Sequence, residues 1–209
     1  MSIGMKGNVD GSGAIQVGGS DAITISTGLN ATFAGTVTST GVITSPTGAL
    51  YPLVSGTAVA STSGTSIDFT GIPSTAKRIT VMFSGVSTVA ANDFLIQLGT
   101  GAGPTFTTSG YVSSSGSNSG TGAAASTAGL LVFNPNAGSA YYGPITLTLV
   151  DAATFKWVEG HTLARSDNQG LNVCGGGGVT LSALLTAIRI TTIAGTTTFD
   201  AGSINIMWE

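Results

Sequence analysis

Few side chains in this sequence are suited to acid–base chemistry, and His161 stands out because it is the only histidine. A histidine placed between a serine and a carboxylate can activate the serine hydroxyl as a nucleophile. Serines are plentiful, but no G-x-S-x-G turn is present to expose one of them beside a strand. The nine acidic residues are scattered singly, so no carboxylate pair for glycoside hydrolysis is evident. We therefore predict that the chain is not an enzyme.

The acidic residues and the single cysteine have structural explanations. Asp68, Asp93, Asp151 and Asp200 lie near the ends of expected strands, where aspartates commonly cap turns. Cys174 is the only cysteine, so neither an internal disulfide nor a cysteine-based zinc site can form within one chain. We expect Cys174 to be a small buried apolar group, and we expect no cofactor and no metal.

Two glycine-rich stretches invite comparison with phosphate-binding loops. They span residues 99–103 and 175–178. Neither contains the Lys and Ser or Thr of a P-loop, and neither precedes an expected helix. We predict that both are flexible or tightly turned loops.

Aromatic side chains offer the best candidates for ligand contact, because aromatic rings stack on the faces of sugars. The candidates for contact with a glycan or receptor are Tyr111, Tyr141, Tyr142 and Trp157. The alternative is that Trp157 and at least one tyrosine pack in the core or at a subunit interface.

Composition restricts the fold that must position these residues. Charged residues make up 7% of the chain and hydrophobic residues 42%, and there are 32 glycines. Scarce helix formers and abundant small and β-branched residues predict an all-β protein. No apolar window is long enough for a membrane-spanning helix, and no secretory signal peptide is evident. Six Lys and Arg residues spread along the chain make nucleic acid an unexpected partner.

Residues 1–55 form a region of short alternating segments separated by Gly, Ser or Asn. A single copy of such a region buries too little apolar surface to offset the cost of ordering its backbone. Identical chains around a common axis would supply the missing contacts, so we predict an extended, trimeric β-stalk with a shared core. The apolar segments are residues 14–17, 22–25, 31–34, 36–38 and 42–43.

Residues 56–209 show stronger strand signals, and we place the domain boundary near Gly56. Their apolar residues alternate with polar or small ones, as in strands with one face on a core. We predict an antiparallel β-sandwich of jelly-roll type, with residues 181–185 forming either a helical turn or a short strand. The predicted strands are residues 66–69, 78–86, 93–98, 110–113, 129–133, 145–150, 155–158, 178–181, 187–192 and 203–208.

Several segments resemble bacteriophage tail-fibre and related virion proteins. The stretch from Leu29 to Ile43 is similar to a segment found in their shaft or neck. Residues 72–83, 96–99 and 198–209 resemble parts of the small C-terminal domain that often follows it. The resemblance implies a trimeric fibre that is attached to the particle by its N-terminal part and exposes a globular β-domain. It supplies no catalytic residues.

Together these features predict a virion fibre protein, exposed on the particle surface, whose C-terminal knob contacts the host, with a surface glycan as the candidate ligand. Its N-terminal segment would bind another virion protein, either a tail adaptor or nozzle or the capsid. The alternative is a head fibre or capsid decoration protein with a purely structural role. A third hypothesis, a polysaccharide depolymerase, requires two carboxylates that meet only in the folded chain.

Overall fold

The computed structural model describes residues 3–7, 13–17, 20–25, 31–33, 43–45, 48–50, 52–118, 120, 122–166 and 171–209. Every regular element in these residues is a β-strand, and the strands pair in antiparallel fashion, so the all-β prediction is confirmed. None of this part of the chain forms a helix able to cross a membrane. The chain divides into two compact units, Met1–Tyr51 and Pro52–Glu209.

The first unit consists of short strands. Four of them follow one another in an antiparallel sheet of order β1-β2-β3-β4, and the other two pair as β5 and β6. Three predicted segments fall on β2, β3 and β4, and a fourth overlaps β5, whereas the segment 36–38 lies outside the described residues. The strands are β1 Ile3–Gly7, β2 Gly13–Val17, β3 Ser20–Ile25, β4 Ala31–Phe33, β5 Ile43–Ser45 and β6 Gly48–Leu50.

The second unit contains a larger sheet in which nine described strands pair. The order is β14-β13-β18-β17-β16-β10-β20-β7, and β8 also pairs with β20. These strands are β7 Val54–Ser55, β8 Val59–Ala60, β10 Arg78–Thr88, β13 Val112–Ser117, β14 Ala123–Ser126, β16 Tyr141–Asp151, β17 Lys156–Arg165, β18 Asn172–Thr180 and β20 Phe199–Trp208.

A smaller sheet, with five strands among the residues described, faces the larger one. Its order is β12-β11-β19-β9. One edge of β11 pairs with both β12 and β15, at opposite ends of the strand, and the other edge pairs with β19. The strands are β9 Ile67–Thr70, β11 Phe94–Thr100, β12 Thr105–Phe106, β15 Leu130–Val132 and β19 Leu185–Thr192.

The ten strands predicted for the second unit all overlap observed strands, although the predictions 110–113, 155–158 and 178–181 reach only the ends of β13, β17 and β18. Four short strands, β7, β8, β12 and β14, were not predicted. The second unit begins at Pro52, and its first strand, β7, pairs with the end of β20. Leu185 opens β19, and the residues before it form no helical turn.

The core lies between the two sheets of the second unit, which makes the unit β-sandwich-like. The alternating apolar residues of β10, β16 and β20 point inward from the larger sheet, and those of β11 and β19 point inward from the smaller one. Phe94 of the smaller sheet packs edge-on against Phe83 and Tyr141 of the larger, with ring centroids 5.6 and 5.4 Å apart. Such aromatic contacts add to the free energy gained by burying apolar surface.

Candidate functional site

Three of the four predicted glycan-contact residues are buried. The exposed fractions of Tyr111, Tyr141 and Trp157 are 1%, 0% and 3%. Tyr111 accepts a hydrogen bond from the Leu98 amide at 2.8 Å, and burial raises the pKa of Tyr111 to about 12. With their ring faces packed in the core, these three side chains cannot stack on a sugar at the surface. Trp157, Tyr111 and Tyr141 therefore pack in the core, as the alternative interpretation of the aromatic residues expected for Trp157 and at least one tyrosine.

Tyr142 is the one predicted residue with an accessible ring, and it is 48% exposed. It lies on the outward face of the larger sheet, directly paired with Ser84 on β10 and Ala164 on β17. Gly85 has a φ of 70°, and a methyl group added there would lie 3.2 Å from the Tyr142 hydroxyl. Tyr142 thus keeps its candidate role as a single aromatic contact beside small neighbours.

His161 has the two partners that a hydrolytic triad would require. Its Nε2 lies 3.0 Å from Ser115 Oγ, and its Nδ1 lies 2.6 Å from Glu159 Oε1. All three side chains point into the sandwich, and those of His161 and Glu159 are 0% and 1% exposed. We call this group the buried polar chain, Ser115-His161-Glu159.

The glycine run 175–178 is what allows the buried polar chain to form. Contrary to the loop prediction, these glycines lie within β18, between β13 and β17. Gly175 pairs with both Ser115 and His161, so the two side chains meet across a strand position that has none. A methyl carbon at Gly175 would lie 2.6 Å from His161 Cε1 and 2.7 Å from Ser115 Cβ. The run is therefore a strand whose missing side chains make room for a polar contact.

The Ser115 hydroxyl has three hydrogen-bond partners. Ser115 Oγ accepts from the Phe133 amide at 3.2 Å, and its single hydrogen can go either to the Cys174 carbonyl at 3.1 Å or to His161 Nε2 at 3.0 Å. The Cys174 carbonyl therefore competes with His161 for the proton that a general base would have to accept. Ser115 is also only 3% exposed, so little of it is accessible to a substrate.

Two serines of β13, Ser113 and Ser115, join the two sheets. Ser115 Oγ accepts from the Phe133 amide, and Ser113 Oγ accepts from the Leu131 amide at 2.8 Å. Both amide groups lie at or beside β15 of the smaller sheet, whereas both serines lie on β13 of the larger. Ser113 and Ser115 therefore satisfy two backbone N–H groups whose burial without a partner would cost free energy. Through these two bonds they hold β15 against β13.

Cys174 differs from its prediction, because it is exposed rather than buried. It points outward from β18 beside Thr162 of β17. Together with Ser114 and Gly176 it lines an open groove of about 540 Å³ on the outward face of the larger sheet. The described residues contain no group of three His, Cys, Asp or Glu side chains able to hold a metal ion.

The predicted turn-forming aspartates have different roles. Asp151 caps a turn as expected, accepting from the Ala153 amide at 2.9 Å and from the Thr154 hydroxyl at 2.7 Å. Asp200 accepts a hydrogen bond from Ser87, which pins the start of β20 to β10. Asp68 is not a cap, because it lies within β9 and pairs through both oxygens with Arg189.

Asp93 gives the clearest expected effect of pH. Burial raises the pKa of Asp93 above its ordinary value, and the hydrogen bond from the Asn134 amide at 2.7 Å partly opposes this. As the pH rises through the ordinary aspartate range, the unfolded chain loses its proton before the folded chain does, so the free energy of unfolding falls. We expect Asp93→Asn to remove this fall, gaining stability relative to the parent between about pH 4 and pH 7. Urea unfolding across that range measures the difference, and parallel curves for the two proteins would contradict it.

A polar row on the outward face of the smaller sheet was missed by the sequence analysis. Gln97 of β11 pairs directly with Arg189 of β19, which pairs directly with Asp68 of β9. The Arg189 guanidinium lies 4.1 Å from the centre of the Phe106 ring. The only sign of this row in the sequence was a polar residue, Gln97 or Arg189, within each of two strongly apolar strands. The row itself could not be predicted, because a single sequence does not show which distant strands pair with each other.

Comparison of the chain with protein-family models, with curated proteins and with solved structures finds no match. Its function must therefore be inferred from its own residues and their arrangement.

Proposed function

We propose that the chain is a structural fibre protein of a bacteriophage virion, with an N-terminal stalk and a C-terminal knob. The observation that carries the proposal is the division into a unit of short paired strands, Met1–Tyr51, and a sandwich-like unit, Pro52–Glu209. This organisation agrees with the resemblance of residues 29–43 to fibre shafts and of residues 72–83 and 198–209 to the domain that follows.

The stalk is proposed to be trimeric. The described strands of the first unit have three to six residues, and among them the longest run of paired strands is four. A sheet of such short strands is marginal on its own. Three copies around one axis would provide a shared core, and the same segment would bind a tail adaptor, a nozzle or the capsid.

The knob is proposed to be a jelly-roll-like sandwich that contacts the host surface. Tyr142 supplies an exposed aromatic side chain on the outward face of the larger sheet. One such contact binds weakly, but copies held close together on a particle increase the apparent affinity greatly. Weak single sites are therefore compatible with firm attachment of the particle.

A head fibre or capsid decoration protein is the second candidate. This role is favoured by the burial of Tyr111, Tyr141 and Trp157, because these three residues then cannot form an exposed aromatic cluster with Tyr142. The outward neighbours of Tyr142 are Ser84 and Ala164, which offer little for recognition. Receptor binding that depends on Tyr142 would favour a tail fibre, and binding to particles without any effect of Tyr142→Ala on adsorption would favour decoration.

Solution mass and truncation test the proposal. By light scattering we expect the full chain to have three times its mass of 20.5 kDa. A chain beginning at Pro52 should stay folded, because its core is formed within the second unit, but should no longer attach to particles. A monomeric full chain would contradict the trimeric stalk. An unfolded truncated chain would contradict the independence of the knob.

A further inference from the structure

A second cleft lies on the outward face of the smaller sheet and has a volume of about 300 Å³. Gln97 and Arg189 line its floor, and the segment that carries Ala128 forms one wall. Gly129 places that wall tightly over β11, since a methyl carbon there would lie 3.1 Å from Leu95 Cβ. The cleft belongs to a different sheet from Tyr142 and from the buried polar chain. Further lining residues are Thr65, Ser66, Thr191, Ile193 and Ala194.

Two side chains in the cleft are held in place and still have unused hydrogen-bonding capacity. Gln97, 8% exposed, donates through Nε2 to the Ala128 carbonyl at 3.0 Å, and within the described residues its amide oxygen accepts no hydrogen bond. Arg189 donates through Nε and Nη2 to Asp68 at 2.8 and 2.7 Å, and its Nη1 hydrogens have no acceptor in the same part of the chain. The cleft therefore offers an acceptor from Gln97 and a donor from Arg189.

We propose that this cleft binds the acetamido group of an N-acetylated hexosamine. The acetamido carbonyl would accept from Arg189 Nη1, its N–H would donate to the Gln97 amide oxygen, and its methyl group would contact Leu95 and Ile193. The pairing of Arg189 with Asp68 cancels the charge of the guanidinium, so an uncharged ligand fits better than an anion. Hydroxyl groups of Ser66 and Thr191 lie at the same cleft for contact with the sugar ring.

The position of the cleft favours a sugar over a peptide. Extended peptides usually bind by adding a strand to an open sheet edge. Here the polar row crosses the face of the sheet, with Gln97 and Arg189 on strands that are already paired. A volume of about 300 Å³ is at the lower end of the range for small-ligand sites, which suits a sugar ring with its substituent. The proposal rests on the proposed function, because it names the host glycan that the knob would contact.

Saturation-transfer NMR with N-acetylglucosamine and the full chain tests the proposal. A dissociation constant in the millimolar range is expected, on the order of 1 mM, because few contacts are made. Glucosamine and glucose lack the acetyl group and should bind at least about tenfold more weakly. Gln97→Leu should weaken binding of N-acetylglucosamine by a similar factor. Ser66→Tyr should also weaken it, by filling the cleft from an exposed position without changing the core.

Two further variants sharpen the test. Asp68→Asn frees the charge of Arg189, so glucuronic acid should bind to this variant more tightly than to the parent. Val158→Ala, at an exposed position of the larger sheet, should leave binding of N-acetylglucosamine unchanged. Equal binding of glucosamine, or full binding by both Gln97→Leu and Ser66→Tyr, would overturn the proposal. So would binding of a blocked alanine peptide in place of the sugar.

The outcome is separable from that of the proposed function. Detection of the protein in purified particles by mass spectrometry tests the fibre assignment alone. A protein that is present in particles but does not bind N-acetylglucosamine would refute the sugar site only. A protein that binds the sugar through Gln97 but is absent from particles would refute the fibre assignment only.

Discussion

Gly175→Ala is expected to lower the free energy of unfolding by about 3 kcal/mol, because a methyl group does not fit between β13 and β17. The added carbon would lie 2.6 Å from the Ser114 carbonyl oxygen and 2.6 Å from His161 Cε1. The carbonyl belongs to the backbone of a paired strand and cannot move away without breaking the sheet. Displacing His161 would separate it from Ser115 and leave polar atoms unpaired in the core. Urea unfolding of the two proteins measures the loss.

Gly160→Ala is the matched control. Gly160 lies in the adjacent strand β17, and a methyl group there would have no atom within 4 Å. Alanine at this position is therefore expected to leave the free energy of unfolding unchanged within about 0.5 kcal/mol. Equal losses for the two substitutions would show that the glycines matter only for backbone freedom. That result would contradict the explanation of the glycine run given above.

His161→Leu is expected to cost about 3 kcal/mol, because it leaves a buried carboxyl group without its hydrogen-bond partner. The substitution leaves Glu159 buried among apolar side chains without its partner at 2.6 Å. Among the described residues Glu159 Oε2 has no hydrogen-bond partner, so the carboxyl group would lose the contact that its other oxygen makes with His161. The loss of the hydrogen bond between His161 and Ser115 adds to the cost.

Glu159→Leu combined with His161→Leu should cost less than the sum of the two single changes, with a coupling energy of about 1–3 kcal/mol. The double variant removes both polar groups and leaves Ser115 with its bonds to Phe133 and Cys174. A double-mutant cycle from denaturant unfolding measures this coupling energy. Strict additivity would mean that Glu159 and His161 do not stabilise each other, in conflict with the short contact between them.

Local patterns in the sequence predicted most of β10, β11, β19 and β20, but only one end of the long strands β17 and β18. Ile79, Val81 and Phe83 alternate with less buried residues on β10, and all three are buried as the alternation predicts. β11 departs from this pattern, since Leu95 and Gln97 on its outward face are 2% and 8% exposed. The segment around Ala128 and Gly129 covers that face, and tertiary packing of this kind leaves no periodic signal in β11 itself.

The candidate sites could not be predicted because their residues come from strands that are distant in sequence. Ser115 and His161 are joined across a third strand, and Arg189 is joined to Asp68 of β9. The glycine run was misread because glycine usually disfavours strands, and only its neighbours explain its presence there. The burial of Trp157 and of at least one tyrosine was anticipated as an alternative, since large aromatic residues are common in cores.

The strand order of the second unit has a consequence for how quickly it folds. β10 pairs with β20, and β9 pairs with β19, so segments near residues 67–88 pair with segments near residues 185–208. Chain closure over such separations is entropically costly before any contact compensates for it, and all-β domains of this kind fold in roughly milliseconds to seconds. During synthesis the strand edges of β9 and β10 that pair with β19 and β20 therefore remain unpaired until those strands have been made. Newly made chains are expected to depend on that interval being short, or on chaperones, to escape aggregation.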